Sequence, residues 1–142
     1  MSLNLDQCAI PKVWCGKHTP PKRRPGDLKY YYKTGSRSEC VKIGYGAGMY
    51  GERKKHLPTG SLQQIPYVGD VYEKKFKKMG ITNKHDLRRE ATTRSSKELG
   101  GLLKRVFTKK GGVLDKRAYN STVVYLYQNG IGNVPQCSKI KV

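Results

Sequence analysis

From residue 61 onward, apolar positions recur at helical spacing. Ser61-Leu62-Gln63-Gln64-Ile65 reads as a short helix and Pro66-Tyr67-Val68-Gly69 as a tight turn. Asp70 to Met79 follows as a second helix, with Val71, Tyr72, Phe76 and Met79 on one stripe and the stem of Lys75 laid along it. Gly80 stands where a helix C′ glycine belongs. Thr82 or Asn83 caps a third helix reaching about Ala91, with Leu87 and Ala91 facing inward. Ser95-x-x-Glu98 has capping-box form. It opens a fourth helix to about Lys109, buried through Leu99, Leu102, Leu103, Val106 and Phe107 and ended by Gly111-Gly112. For Asp115 to about Gln128, Leu114, Ala118, Tyr119, Thr122 and Leu126 fit a helical face, whereas Thr122-Val123-Val124-Tyr125 alone would suit a strand. Length and the Gly130 stop favour the helix.

The first 60 residues show no such period. Pro11, Pro20, Pro21 and Pro25 break any helix around the cluster Lys22-Arg23-Arg24. Leu28 to Lys33 reads as a short strand, and Arg37 to Ile43 as a short helix stopped by Gly44, Gly46 and Gly48. The chain therefore divides into an extended Pro/Lys/Tyr-rich arm (1–40), a Gly-rich connector (41–60), a helical domain (61–130) and a C-terminal tail (131–142). The expected fold class is mainly α: a small helical body with an extended irregular N-terminal arm and C-terminal tail.

Charge sharpens this picture. The 142 residues carry 29 Lys and Arg against 10 Asp and Glu, a formal net charge of +19. Residues 1–56 hold 12 basic and 4 acidic side chains, and residues 57–142 hold 17 and 6, so the excess is not confined to a tail. Self-repulsion at this density disfavours a compact state unless a partner neutralises it, which points to polyanions or acidic surfaces. No apolar run approaches the roughly 18 residues a membrane helix needs. Met-Ser-Leu-Asn-Leu-Asp lacks a basic n-region and an apolar h-region, so no secretory signal is expected.

The default reading of Cys8, Cys15, Cys40 and Cys137 is then reduced, buried thiols, with a disulfide if the protein enters a particle that meets oxidising surroundings. A zinc site would use Cys8, Cys15 and His18, closed by Cys40 or Cys137, but no tight Cys-x2–4-Cys pair supports it. Asn120-Ser121-Thr122 matches a glycosylation acceptor and means nothing without secretion. Gly46-x-Gly48-x-x-Gly51 matches a dinucleotide fingerprint but follows no strand, so its glycines serve conformation. His18, His56 and His85 sit among lysines, and no nucleophile-elbow, metalloprotease or Walker A string occurs. Neither enzyme activity, nor a cofactor, nor a small-molecule substrate is expected.

Two resemblances add to this reading. Leu62-x-x-Ile65-Pro66-x-Val68-Gly69-x-x-Tyr72-x-x-x-Phe76-x-x-x-Gly80-Ile81-Thr82 resembles the helix-hairpin-helix family over residues 61–91. That resemblance implies that hairpin N–H groups at Val68 and Gly69 meet a DNA phosphate without reading sequence, with Lys74, Lys75, Lys77, Lys78, Arg88 and Arg89 on neighbouring phosphates and Lys22, Arg23 and Arg24 adding to the polyanion surface. Two features depart from the family: Tyr67 stands where it usually has its first glycine, and Asp70 adds a negative charge at the helix N-terminus. The string Glu39-Cys40-x-Lys42-x-Gly44-x-Gly46-Ala47-Gly48, followed by Ser61 to Asp70 and Phe76-x-x-x-Gly80-Ile81, resembles small basic proteins of nucleocytoplasmic large DNA viruses. It implies a virion-associated protein, present in host cytoplasm before assembly. Its partners would be larger capsid subunits, together with viral DNA or an anionic membrane surface.

Overall fold

The structure, a computed structural model, describes Leu3, Cys8, residues 60–65 and residues 67–139. The readings made for the Gly-rich connector and most of the arm, including the strand at 28–33 and the helix at 37–43, lie outside the described residues. Among the described residues the chain is mainly helical, with no strand and one isolated bridge, Thr108 to Leu114. A 3-10 turn at Leu62–Gln64 precedes α1 (Asp70–Lys78), α2 (Lys84–Thr92), α3 (Ser96–Phe107) and α4 (Lys116–Gln128).

Local chemistry sets most boundaries. Asn83 accepts from the Asp86 N–H at 2.8 Å to cap α2, and Ser95 and Glu98 complete both bonds of the capping box on α3. Asp115 caps α4 through the Ala118 N–H at 3.2 Å. α1 ends in a full Schellman motif: Gly80 has φ 82°, its N–H donates to Lys77 O, and the Ile81 N–H donates to Phe76 O. α4 ends identically through Gly130, with the Ile131 N–H donating to Leu126 O. In both motifs the two residues joined by the longer bond are buried, which adds an apolar contact to the hydrogen bonds.

Two expectations need correction. α3 stops at Phe107 rather than near Lys109, because the chain folds back on itself: Lys109 N–H donates to Val113 O and Asp115 N–H to Phe107 O. Gly111 and Gly112, both at positive φ, form the tip of that loop and lie beyond the helix end. Val71 was placed on the inner stripe of α1 but is 67 % exposed; Phe76 carries the buried contact, flanked by half-buried Tyr72 and Met79.

Phe107 joins α1 to α3. The Tyr72 and Phe76 rings meet it edge to face, with centroids 4.9 and 5.7 Å away. α4 is the centre of the body, buried at every position from Ala118 to Leu126. A helix covered on all sides must satisfy its polar residues internally, and this one does. Ser121 and Thr122 hydroxyls donate to Ala118 O at 3.2 and 2.9 Å.

Asn120 clamps the chain ends. Its Nδ2 donates to Cys8 O at 3.0 Å and Ser138 O at 2.8 Å, while its Oδ1 accepts from the Ser138 N–H at 2.7 Å. Beside it, Cys8 and Cys137 form a disulfide across 129 residues. The residues after α4 therefore belong to the core, with Ile131, Val134 and Cys137 buried. Asn133 donates to the carbonyls of Ala91 and Arg94, and Ser96 Oγ donates to Val134 O at 3.3 Å, which fixes the α2–α3 corner.

Candidate polyanion-binding surface

Ahead of α1 one backbone bond closes on Ile65. The Val68 N–H donates to Ile65 O at 3.1 Å, and Tyr67 has φ 68°. A positive φ is a conformation that glycine adopts without strain and tyrosine rarely does. Tyr67 thus holds the backbone bend that a glycine would hold. The donor side is less favourable to an anion. Val68 is buried and its N–H is already bonded. Gly69 caps α1 without a side-chain bond, and Asp70 and Glu73 occupy the first turn. Gln63 Nε2 holds both carboxylates in place, at 2.7 and 3.2 Å.

The cations expected beside that hairpin do not surround it. Lys74, Lys77 and Lys78 are exposed, but Lys77 and Lys78 close the far end of α1, about 12 Å along the axis from Asp70. There they complement the helix dipole. Lys77 also lies 3.8 Å from Glu73. Lys75 turns inward, donating to Thr108 O at 3.0 Å. Arg88 donates to the buried Tyr125 hydroxyl, and Arg89 pairs with Asp86 at 3.2 Å on the surface. Lys22, Arg23 and Arg24 lie outside the described residues. Lys84, unremarked in the sequence, is buried with its ammonium 5.8 Å from the Tyr125 ring centroid.

The structure brings together a different set. On the outer face of α3, Lys97, Gly101, Lys104 and Arg105 are exposed at i, i+4, i+7 and i+8, opposite the buried leucines. Lys97, Lys104 and Arg105 make no ion pair among the described residues. Beside them runs an open groove of about 540 Å³, lined by Met79, Arg94, Lys97, Glu98, Gly101, Leu102 and Arg105. The sequence carried a signal for this face, since the polar positions of the capping-box helix follow the same period as its leucines. Further exposed cations, Lys109, Lys110, Lys116 and Arg117, cluster around the turn between α3 and α4.

Among the described residues no three His, Cys, Asp or Glu side chains converge as a metal site would require. Cys8, a candidate zinc ligand, is bonded to Cys137 instead, so at these two positions the disulfide alternative stands in place of the default reduced thiols. Cys15, His18 and Cys40 lie outside the described residues. Asn120 is fully buried and triply bonded, so its acceptor motif offers no accessible amide. Tyr72 donates to Asp115 Oδ2 at 2.6 Å; burial first, then that bond and the carboxylate charge, push its phenol well above the usual tyrosine range. Such a phenol stays protonated and serves as a strut between α1 and α4. No protein family, curated protein or solved structure matches this chain.

Proposed function

We propose that the chain is a non-enzymatic, strongly basic structural protein of a large DNA virus particle, a minor capsid or cementing component that holds acidic protein surfaces and polyanions. The observation that carries this reading is the combination of a locked body with an unneutralised surface. A disulfide ties residues 129 apart and Asn120 bonds beside it, while Lys97, Lys104, Arg105, Lys110 and Lys116 are exposed and have no carboxylate partner among the described residues. A body fixed at both ends presents its charge in one arrangement and loses little entropy on docking. A disulfide persists where surroundings oxidise, which suits a particle that leaves its host cell better than a protein that stays in reduced cytosol.

Quantitative mass spectrometry of gradient-purified particles tests this. The expected result is a fixed ratio of this chain to the major capsid subunit, retained through washing at physiological salt and oxidised at Cys8 and Cys137. Absence from particles, or loss in that wash, overturns it.

One observation favours a second reading, sequence-independent DNA binding through the helix-hairpin-helix-like segment and the Lys and Arg around it: Tyr67, standing where the family usually has glycine, has the positive φ that glycine favours. Its test is duplex affinity against salt for wild type and Lys77→Glu/Lys78→Glu. Kd near or below ~1 μM at ~150 mM salt, with a log–log slope that falls by about two in the variant, supports it. Binding that ignores the mutation removes it.

A further inference from the structure

We infer that the outer face of α3, with the groove beside it, is a track for the phosphodiester backbone of a nucleic acid. The inference rests on the polyanion part of the proposed function and places it at a site away from the hairpin.

Four features converge there. Lys97, Lys104 and Arg105 share one helix face, spanning about 12 Å along the axis. Measured along the duplex axis, at ~3.4 Å of rise per nucleotide of one strand, that length covers roughly three to four nucleotides. At the middle of the line is Gly101, where an added Cβ would meet nothing within 4 Å. A ligand backbone can approach the helix there more closely than beside any other residue type. The one carboxylate in the groove, Glu98, is engaged by the Ser95 N–H at 3.3 Å in the capping box. Finally, Arg94 lines the groove with its side chain 34 % exposed; Glu90 holds its Nη2 at 3.2 Å, Asn133 anchors its carbonyl, and its buried Nε has no hydrogen-bond partner among the described residues. The exposed part of that guanidinium adds a fork of donors suited to phosphate oxygens at the side of the cation line. The cations are spaced as a line along one helix face, which suits a repeating anion better than a compact one.

The test uses full-length oxidised protein and a short fluorescent duplex, with anisotropy followed from about 50 to 300 mM NaCl. Lys97→Glu/Arg105→Glu is expected to lower the log–log slope by about two and weaken binding at least ~10-fold at low salt. Lys110→Glu/Lys116→Glu, an equal change in net charge elsewhere, is expected to weaken it by under ~3-fold. Gly101→Leu fills the groove without changing charge and is expected to cost about 5-fold, whereas Gly101→Ala costs under ~2-fold. Melts by circular dichroism confirm that each variant is folded. Equal losses for the two double variants, wild-type binding by Gly101→Leu, or binding of polyglutamate but not duplex by the wild type would overturn the track. A chain that fails these tests yet is found in particles leaves the structural proposal standing. A chain that passes them but is absent from particles reverses that outcome.

Discussion

Asn120→Ala removes one side chain and three hydrogen bonds with it. The bonds to Cys8 O and Ser138 O and the one from the Ser138 N–H are lost. A buried polar group left unpaired costs about 1–3 kcal/mol. The Cys8 bond is fully buried, whereas the Ser138 bonds are partly open to water that can replace them, so the upper values do not apply throughout. The expected destabilisation is about 3–5 kcal/mol, a large share of the ~5–15 kcal/mol that keeps a domain folded. Urea unfolding of the oxidised protein, followed by far-ultraviolet circular dichroism, measures it as a lower midpoint at unchanged slope. The Cys8→Ala/Cys137→Ala background then provides a double-mutant cycle. Opening a loop closed across 129 residues costs about 5 kcal/mol in the chain-entropy account. In that background the segment at Cys8 is free to leave its site, so Asn120→Ala should cost about 1–2 kcal/mol less than in the oxidised protein. A cost below ~1 kcal/mol in the oxidised chain, or strict additivity of the two changes, would refute the clamp.

Adjacent glycines in α3 give opposite predictions. Gly101→Ala should stabilise by about 1 kcal/mol in thermal or urea unfolding, because nothing lies near the new methyl and alanine is the better helix former. Gly100→Ala gains the same propensity but presses on Pro135 Cβ at 3.3 Å, so it should be neutral or destabilising. At Tyr67, φ 68° should make Tyr67→Ile cost about 2 kcal/mol while Tyr67→Gly stays within about 1 kcal/mol of wild type, since glycine relieves the strain as it loses the half-buried ring. Tyr72 and Tyr119 both have pKa values raised in the folded state, so folding favours their protonated forms. That stability is fully present below the unfolded value near 10 and is lost as pH rises above it. Tyr72→Phe should therefore flatten the fall in unfolding midpoint measured between pH 9 and 11 relative to wild type.

What the sequence by itself determined is the local grammar of the helical body. Asn83, the Ser95–Glu98 box, Gly80 and Gly130 each act within five residues of themselves, so a helix start or stop is written where it occurs. The same holds for the buried leucines of α3, whose period alone names the inner face. Tertiary structure decided the rest, because the deciding partners are distant in the chain. Lysines 74, 75, 77 and 78 look alike in a row, yet Lys75 turns inward only because Thr108 O is brought beside it, 33 residues on. Arg88 is drawn to Tyr125 in the same way, and α3 stops at Phe107 because Lys109 and Asp115 find partners across a folded loop. Asn120 reads as a surface acceptor motif until packing surrounds α4 and sets Cys8 and Ser138 against its amide. Which two cysteines pair is decided likewise. A thiol's redox state follows its compartment, but its partner follows from chain ends that meet only when the core has closed around them.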